Sequence, residues 1–281
     1  LYHTMLAPST SMDVNGEYRG PDNQVHRAEG FRFVSSLSLW DTYRAEQPLM
    51  TLIEPEQRTN DLVRSLIVSQ RESPFGILPV WQFAGLETWC MIGYHSVPII
   101  ADAYMKGIRG YDTKAALDAM VASATYAPYG NLAAYMKLGY VPVDNDGESA
   151  SKTVEYAFDD WTLARMARAM GNEGVASTFA KRAGNWRNNF NVADGFVEPR
   201  LADGAYRKPF DPAKADVWMQ GVQVCRAGLA APFSEDDLKR KLDAAECEIR
   251  IAFRGNGKGE TRFWTCDFTE GYIRINASYR T

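Results

Sequence analysis

Residues 74–104 read PFGILPVWQFAGLETWCMIGYHSVPIIADAY, and the rest of the chain is arranged around this stretch. Pro74 and Gly76 mark a turn, a short apolar run follows, and Gly85-Leu86-Glu87-Thr88 forms a loop. From Cys90 to Lys106 the pattern is apolar nearly all round, which predicts a helix buried on several sides, kinked at Pro98. Thr88 is placed as its N-cap. Glu87 then stands in a loop at the positive end of that helix, among Trp81, Trp89 and Tyr94. A carboxylate beside flat aromatic faces suits a sugar, whose hydroxyls need polar partners and whose C–H faces need apolar ones. The same residues also suit a helix-capping Glu beside core aromatics. His95 inside the helix reads as a buried, hydrogen-bonded histidine rather than a ligand.

Outward from this stretch, helical patterns follow one another. Trp40-Asp41 opens one that runs to about Ile53, with Asp41 again a carboxylate at a helix entrance beside a Trp. Others span about 55–69, 113–124, 149–170 and 173–190. In the helix of residues 149–170, Val154, Ala157, Phe158, Trp161 and Ala164 share one face at helical spacing. Asp159 and Asp160 fall in its middle, so at least one must point inward or sideways. An apolar helix followed by an amphipathic one, three times over, suits two concentric rings of helices. The expected fold is therefore mainly all-α, a partial (α/α)6 toroid with long loops and a few short strands. After Phe196 the pattern weakens: a hairpin turns at Asp203-Gly204, and residues 235–252 read as a helix with Ser234 as N-cap and Asp237 completing a near capping box.

Composition sets broad limits. The chain has 281 residues, 46% hydrophobic and 23% charged, enough for one large domain or two small ones. A net charge of -4 without runs of one sign points away from nucleic-acid and membrane-surface partners. Seven tryptophans suit carbohydrate binding and a well-packed core equally. Cys90, Cys225, Cys247 and Cys266 have no metal-ligand spacing, and His3 and His26 lie among turn formers. No stretch is long and apolar enough to span a membrane. The opening LYHTMLAPS reads like the middle of a longer sequence.

Several motifs, taken together and in order, resemble those of glycoside hydrolase family 92, calcium-dependent exo-acting α-mannosidases. They are Ser38-Leu39-Trp40-Asp41-Thr42, Gly85 through His95, Ile100-Ala101-Asp102-Ala103-Tyr104, Lys106-Gly107-Ile108-Arg109-Gly110, Glu155 through Trp161, Arg200-Leu201-Ala202-Asp203-Gly204, Pro209-Phe210-Asp211-Pro212 and Asp267-Phe268-Thr269-Glu270-Gly271. The resemblance implies that residues 1–212 are the first part of an (α/α)6 catalytic domain and that 213–281 are a divergent continuation carrying the T-E-G motif. The family's N-terminal β-sandwich and the later part of the toroid are not represented.

The resemblance also implies a chemistry. Hydrolysis is inverting: one acid protonates the leaving oxygen while a carboxylate base activates water on the opposite face. By the family's pattern Glu270 is the general acid, and Trp40, Asp41, Glu87 and Thr88 line the mannose pocket. Ca2+ is the implied cofactor, its main ligands expected outside this chain, and no metal residue is assigned. The implied partner is a mannose-containing oligosaccharide or glycoprotein glycan, with no nucleic acid and no membrane span, in a secreted or periplasmic setting.

The sequence also departs from the family. Leu86 replaces an Asn, the G-N-E-P and N-D-D motifs are absent, and Tyr272-Ile273-Arg274 follows T-E-G; alternatively Gln220-Gly221 marks the motif's original position with its Glu lost. The expectation is an inactive fragment of an α-mannosidase with an uncovered apolar face. The alternatives are a non-catalytic carbohydrate-binding relative and another toroid glycosidase.

Overall fold

The computed structural model describes residues 6–208, 215–227, 229–242, 248–253, 261–262 and 275–279. The chain divides between Arg207 and Lys208 into two units, each with its own set of internal contacts.

The first unit opens with a hairpin, β1 (Glu17–Arg19) and β2 (Val25–Arg27), antiparallel with Tyr18 opposite His26. Helices then dominate: α1 (Leu39–Thr42), α2 (Glu46–Ile53) and α3 (Glu56–Glu72). A two-residue-per-strand hairpin, β3 (Gln82–Phe83) and β4 (Leu86–Glu87), separates them from α4 (Ser96–Met105), α5 (Thr113–Ala124), α6 (Leu132–Leu138), α7 (Ser149–Ala169) and α8 (Glu173–Arg182). A 3-10 segment, Ala183–Asn189, leads to the short pair β5 (Phe190–Asn191) and β6 (Phe196–Val197). Local chemistry sets several of these ends. Asp112 caps α5 by accepting from Ala115 N at 2.9 Å, and Asn172 caps α8 by accepting from Val175 N at 3.2 Å. Gly139, at φ 78, closes α6 in the left-handed conformation that a side chain would resist.

The helix expected from Cys90 starts only at Ser96, so Thr88 is not its N-cap and Glu87 is not at a helix mouth. Residues 86–87 are instead paired in a strand, Gln82 opposite Glu87. The later start also explains why Pro98 does not kink α4. It is the third residue of the helix, where a backbone N–H has no intrahelical acceptor to lose.

Helix α7 is the centre of this unit and packs against α4, α5, α8 and the 3-10 segment. Its buried residues run Thr153, Tyr156, Asp160, Leu163, Ala167, at helical spacing. The face expected inside is partly outside: Val154, Phe158 and Trp161 are 39%, 41% and 52% exposed. Apolarity alone favoured them, but the polar Tyr156, Asp159 and Asp160 are buried because each finds hydrogen-bond partners there. Both aspartates are fully buried. The core around them is formed by Val63, Leu66, Val97, Ile100, Met120, Leu132, Tyr135 and Leu163. The exposed stripe of α7 borders an open cavity of about 330 Å³ lined by Tyr43, Pro98, Met105, Phe158, Trp161 and Arg165. Leu52 and Ile53 of α2 are also exposed, at 73% and 50%.

The turn at Asp203-Gly204 forms as read: Leu201 N donates to Ala205 O at 2.8 Å, and Gly204 has φ 92. The second unit was not legible as a sheet. It holds β7 (Ala215–Met219), β8 (Val222–Arg226), β9 (Leu229–Ala230), α9 (Glu235–Leu242), β10 (Ile249–Phe253), β11 (Thr261–Arg262) and β12 (Ile275–Tyr279). Six strands make one sheet in the order β11-β12-β10-β7-β8-β9. Among the described residues only the β10–β12 pair is parallel. Ser234 does cap α9, accepting from Asp237 N at 3.2 Å. The helix ends at Leu242 rather than near Ala252, because Ile249-Arg250-Ile251-Ala252-Phe253 alternates and is taken up as strand β10. Among the described residues no helix is long and apolar enough to cross a membrane.

Candidate active site

Trp40 and Asp41 sit in α1, a single turn that follows Ser38 at φ 64. That left-handed residue turns the chain so that its hydroxyl donates to Asp41 Oδ2 at 2.5 Å. The Asp41 side chain is otherwise exposed. Arg44 lies 4.6 Å above the Trp40 ring, and Trp40 Nε1 is buried without an acceptor. The arrangement presents an open carboxylate with an indole and a guanidinium beside it. Such a group can accept hydrogen bonds from the hydroxyls of a ligand.

Glu87 has a different environment. Its Oε1 accepts from the backbone N–H of Trp81 and of Trp89, each at 3.0 Å, and its Oε2 accepts from Val80 N at 2.9 Å. The carboxylate therefore clasps both ends of the β3–β4 hairpin and has little accepting capacity left. Thr88 donates its hydroxyl to Trp81 O at 2.7 Å and is exposed. Ser36 Oγ donates to Gln82 Oε1 at 3.0 Å, tying the segment that leads to Asp41 to the hairpin that carries Glu87. The three rings expected around Glu87 are not gathered in one pocket. Trp89 follows it in a loop, Trp81 packs against the core, and Tyr94 is buried, stacked on Tyr156 at 5.2 Å. Glu270 lies outside the described residues; in sequence it falls between β11 and β12, strands of the second unit.

Behind these motifs the structure holds a charged core that sequence reading caught only in part. His95 Nδ1 bonds Asp159 Oδ1 at 2.9 Å. Its Nε2 lies 3.0 Å from Glu155 Oε2, close enough for an ion pair though not aligned as a hydrogen bond. Burial alone would lower the imidazole, but the Asp159 and Glu155 carboxylates outweigh it and raise it to about 9. His95 is thus an imidazolium between two carboxylates, and Tyr43 covers its ring. Glu155 also accepts from Tyr43 Oη at 3.1 Å and Arg44 at 3.0 Å, so the network reaches the segment beside Trp40. A second set centres on Asp160, which accepts from Tyr94 Oη (2.7 Å), Tyr135 Oη (3.0 Å) and Arg182 Nε (2.9 Å). Burial pushes Asp160 up to about 6 despite these donors, which leaves it ionised at neutral pH. The spacing signal for both sets is the adjacent pair Tyr94-His95 facing the adjacent pair Asp159-Asp160.

Among the described residues no group of three or more His, Cys, Asp or Glu side chains comes together as metal ligands would. The carboxylates that do cluster are already matched by His95, Arg44 and Arg182. These residues do not supply a donor set for calcium.

Comparison with known proteins gives two kinds of likeness. Residues 1–243 match the glycosyl hydrolase family 92 catalytic domain, running past the Arg207–Lys208 boundary. A family GH92 α-mannosidase of Bacteroides thetaiotaomicron, solved in complex with mannoimidazole, is 38% identical with a TM-score of 0.73, over 76% of this chain and 28% of that one. A family GH92 inverting mannosidase of Bacteroides thetaiotaomicron VPI-5482 is 35% identical with a TM-score of 0.68, over 75% and 29%. Among curated proteins, the arginine biosynthesis bifunctional protein ArgJ of Zymomonas mobilis is 32% identical over 145 residues, half of this chain and 33% of its own length. The corresponding protein of Symbiobacterium thermophilum is 30% identical over 163 residues, 58% and 39%. The chain therefore spans between 28% and 39% of the length of these relatives.

Proposed function

Since the chain belongs to glycosyl hydrolase family 92, and its helical unit is part of the (α/α)6 toroid of that family, we propose that it contributes a mannoside-binding part of a catalytic domain that removes terminal α-mannose from glycans. The observation that carries this is the 38% identity and TM-score of 0.73 to an α-mannosidase holding mannoimidazole, over three quarters of the chain. Asp41 is the hydroxyl acceptor, open to solvent and anchored by Ser38; Trp40 forms a wall for the sugar ring; Glu87 acts chiefly by holding the hairpin beside them. Calcium is the family's implied cofactor, but the described residues do not fit it. The test is calorimetric titration of the chain with methyl α-mannoside. Binding that is lost in Asp41→Ala, with an unchanged melting temperature, supports the reading. A preference for methyl α-glucoside, or no binding to either, overturns it.

A further inference from the structure

Helix α3 carries Arg64, Ile67, Val68 and Arg71 at helical spacing, so the four share one side of the helix. The rise of the helix sets the two arginine Cα atoms about 10 Å apart, with the apolar pair between them. The segment that follows α4 lies close against α3. Gly110 N donates to Asn60 Oδ1 at 2.8 Å, and a Cβ on Gly110 would fall 2.6 Å from Asn60 Nδ2. Any side chain at that position would hold the backbone off the helix.

This approach leaves an open cavity of about 450 Å³, within the roughly 300–1,000 Å³ usual for ligand sites. Phe31, Ile67 and Val68 give it apolar surface, and Arg64, Arg71 and Arg109 give it positive charge. That charge is poorly matched. Arg64 Nη1 donates to the neutral carbonyl of Gly30 at 2.9 Å. Arg109 lies 4.1 Å over the Tyr104 ring and donates from Nε to Tyr104 O at 3.3 Å. Among the described residues no carboxylate stands within ion-pair distance of either. Arg71 faces Asp112 at 3.8 Å, but both side chains are more than half exposed, and water screens such a pair. Asp112 is also engaged in capping α5. Tyr111, which lines the same cavity, is 9% exposed, and its buried hydroxyl has no partner among the described residues.

These features point to a ligand. A guanidinium held by a neutral carbonyl or ring keeps its charge for another partner, and its planar fork matches a carboxylate. The apolar side chains beside the arginines favour an anion with an apolar body over a bare ion. We propose that this cavity binds an amphiphilic carboxylate, one carboxylate on a short apolar body. The body lies on Phe31, Ile67 and Val68, and the carboxylate pairs with the unmatched guanidiniums. The cavity shares no residue with Trp40, Asp41, Glu87 or Thr88, and the proposal does not depend on the mannoside reading.

The test is a ligand-observed NMR titration of the whole chain with hexanoate. Hexanol and acetate, which each carry half of its chemistry, are the controls. Hexanoate should bind with a millimolar Kd or tighter, and each control about tenfold more weakly. Arg64→Gln/Arg109→Gln should weaken hexanoate about tenfold and leave hexanol unchanged. Val68→Asp, which sets a carboxylate on the apolar surface, should weaken hexanoate by as much. Phe158→Ser/Trp161→Ser, which alters the cavity beside α7 instead, should leave hexanoate binding unchanged. No binding of hexanoate, or equal binding of hexanol or acetate, overturns the proposal. Full retention of hexanoate binding in Arg64→Gln/Arg109→Gln or Val68→Asp, each shown folded by its melting curve, overturns it too.

Discussion

The Tyr43 ring lies flat on the imidazole of His95, centroids 4.0 Å apart and planes within 7°. Tyr43 thereby shields from water an imidazolium whose two nitrogens face Asp159 and Glu155. The phenol also donates to Glu155, so one side chain both covers the cation and ties down one of its partners.

This pairing has a sign that pH can read. The folded-state value of His95, about 9, lies above its ordinary 6.5. The contribution is therefore complete below pH 6.5 and is lost as pH rises through 9. A shift of that size corresponds to about 3 kcal/mol. The melting temperature is expected to fall between pH 6.5 and 9, and His95→Gln should flatten that slope while lowering stability at pH 6. An unaltered slope in His95→Gln would show that other groups govern the window.

Glu87 makes a second prediction possible. Its carboxylate satisfies three backbone N–H groups of a hairpin only two residues deep. Glu87→Ala should cost about 2 kcal/mol, the desolvation penalty of donors left without acceptors, and should loosen Trp89. Glu87→Gln, which keeps one acceptor oxygen, should lie between. Urea denaturation gives the first quantity, and acrylamide quenching of tryptophan fluorescence the second.

Asp160 should be less forgiving. Asp160→Asn leaves Arg182, only 13% exposed along its side chain, without its counter-charge. Breaking one side of such a buried pair typically costs about 3–5 kcal/mol. Urea unfolding should show a loss in that range for Asp160→Asn and a smaller one for the double variant Asp160→Asn/Arg182→Met. Equal losses would mean the stranded charge is not the cause.

The exposed stripe of α7 gives a surface prediction. Phe158 and Trp161, with Met105 across the cavity, should bind a hydrophobic dye. The double variant Phe158→Ser/Trp161→Ser should bind several-fold less dye with little change in melting temperature. Dye fluorescence that does not respond to these two substitutions would place the patch elsewhere.

Sequence periodicity identified the helices well where burial follows apolarity, as in α3 and α5. It failed on α7, where Tyr156, Asp159 and Asp160 are inside and Trp161 is outside, because partners for buried polar groups come from distant parts of the chain: Tyr94, Tyr135 and Arg182. It also failed at Thr88. Glu87 and Thr88 resemble a helix start in composition, but the backbone N–H groups that Glu87 accepts from belong to a hairpin and its following loop. The place of Asp41 at a helix entrance was legible because a one-turn helix with its own Ser38 is a local arrangement. Residues 249–253 were absorbed into a helix because their period of two is short and follows directly on a capped helical pattern.

The adjacent pair Asp159-Asp160 facing the adjacent pair Tyr94-His95 has one more consequence. Helix α7 is buried on most sides, so apolar packing does little to choose its rotation about its own axis. The two carboxylates point into separate partner sets, and a one-residue slip would present each to the wrong one, leaving charges unmatched in a dry interior. These residues therefore serve as an orientation key for the central helix. Replacing both sets with apolar residues of similar volume is expected to yield a protein that melts at a higher temperature yet lets α7 settle at more than one angle, and with it the largely buried Lys152 and Glu155 side chains that this helix carries.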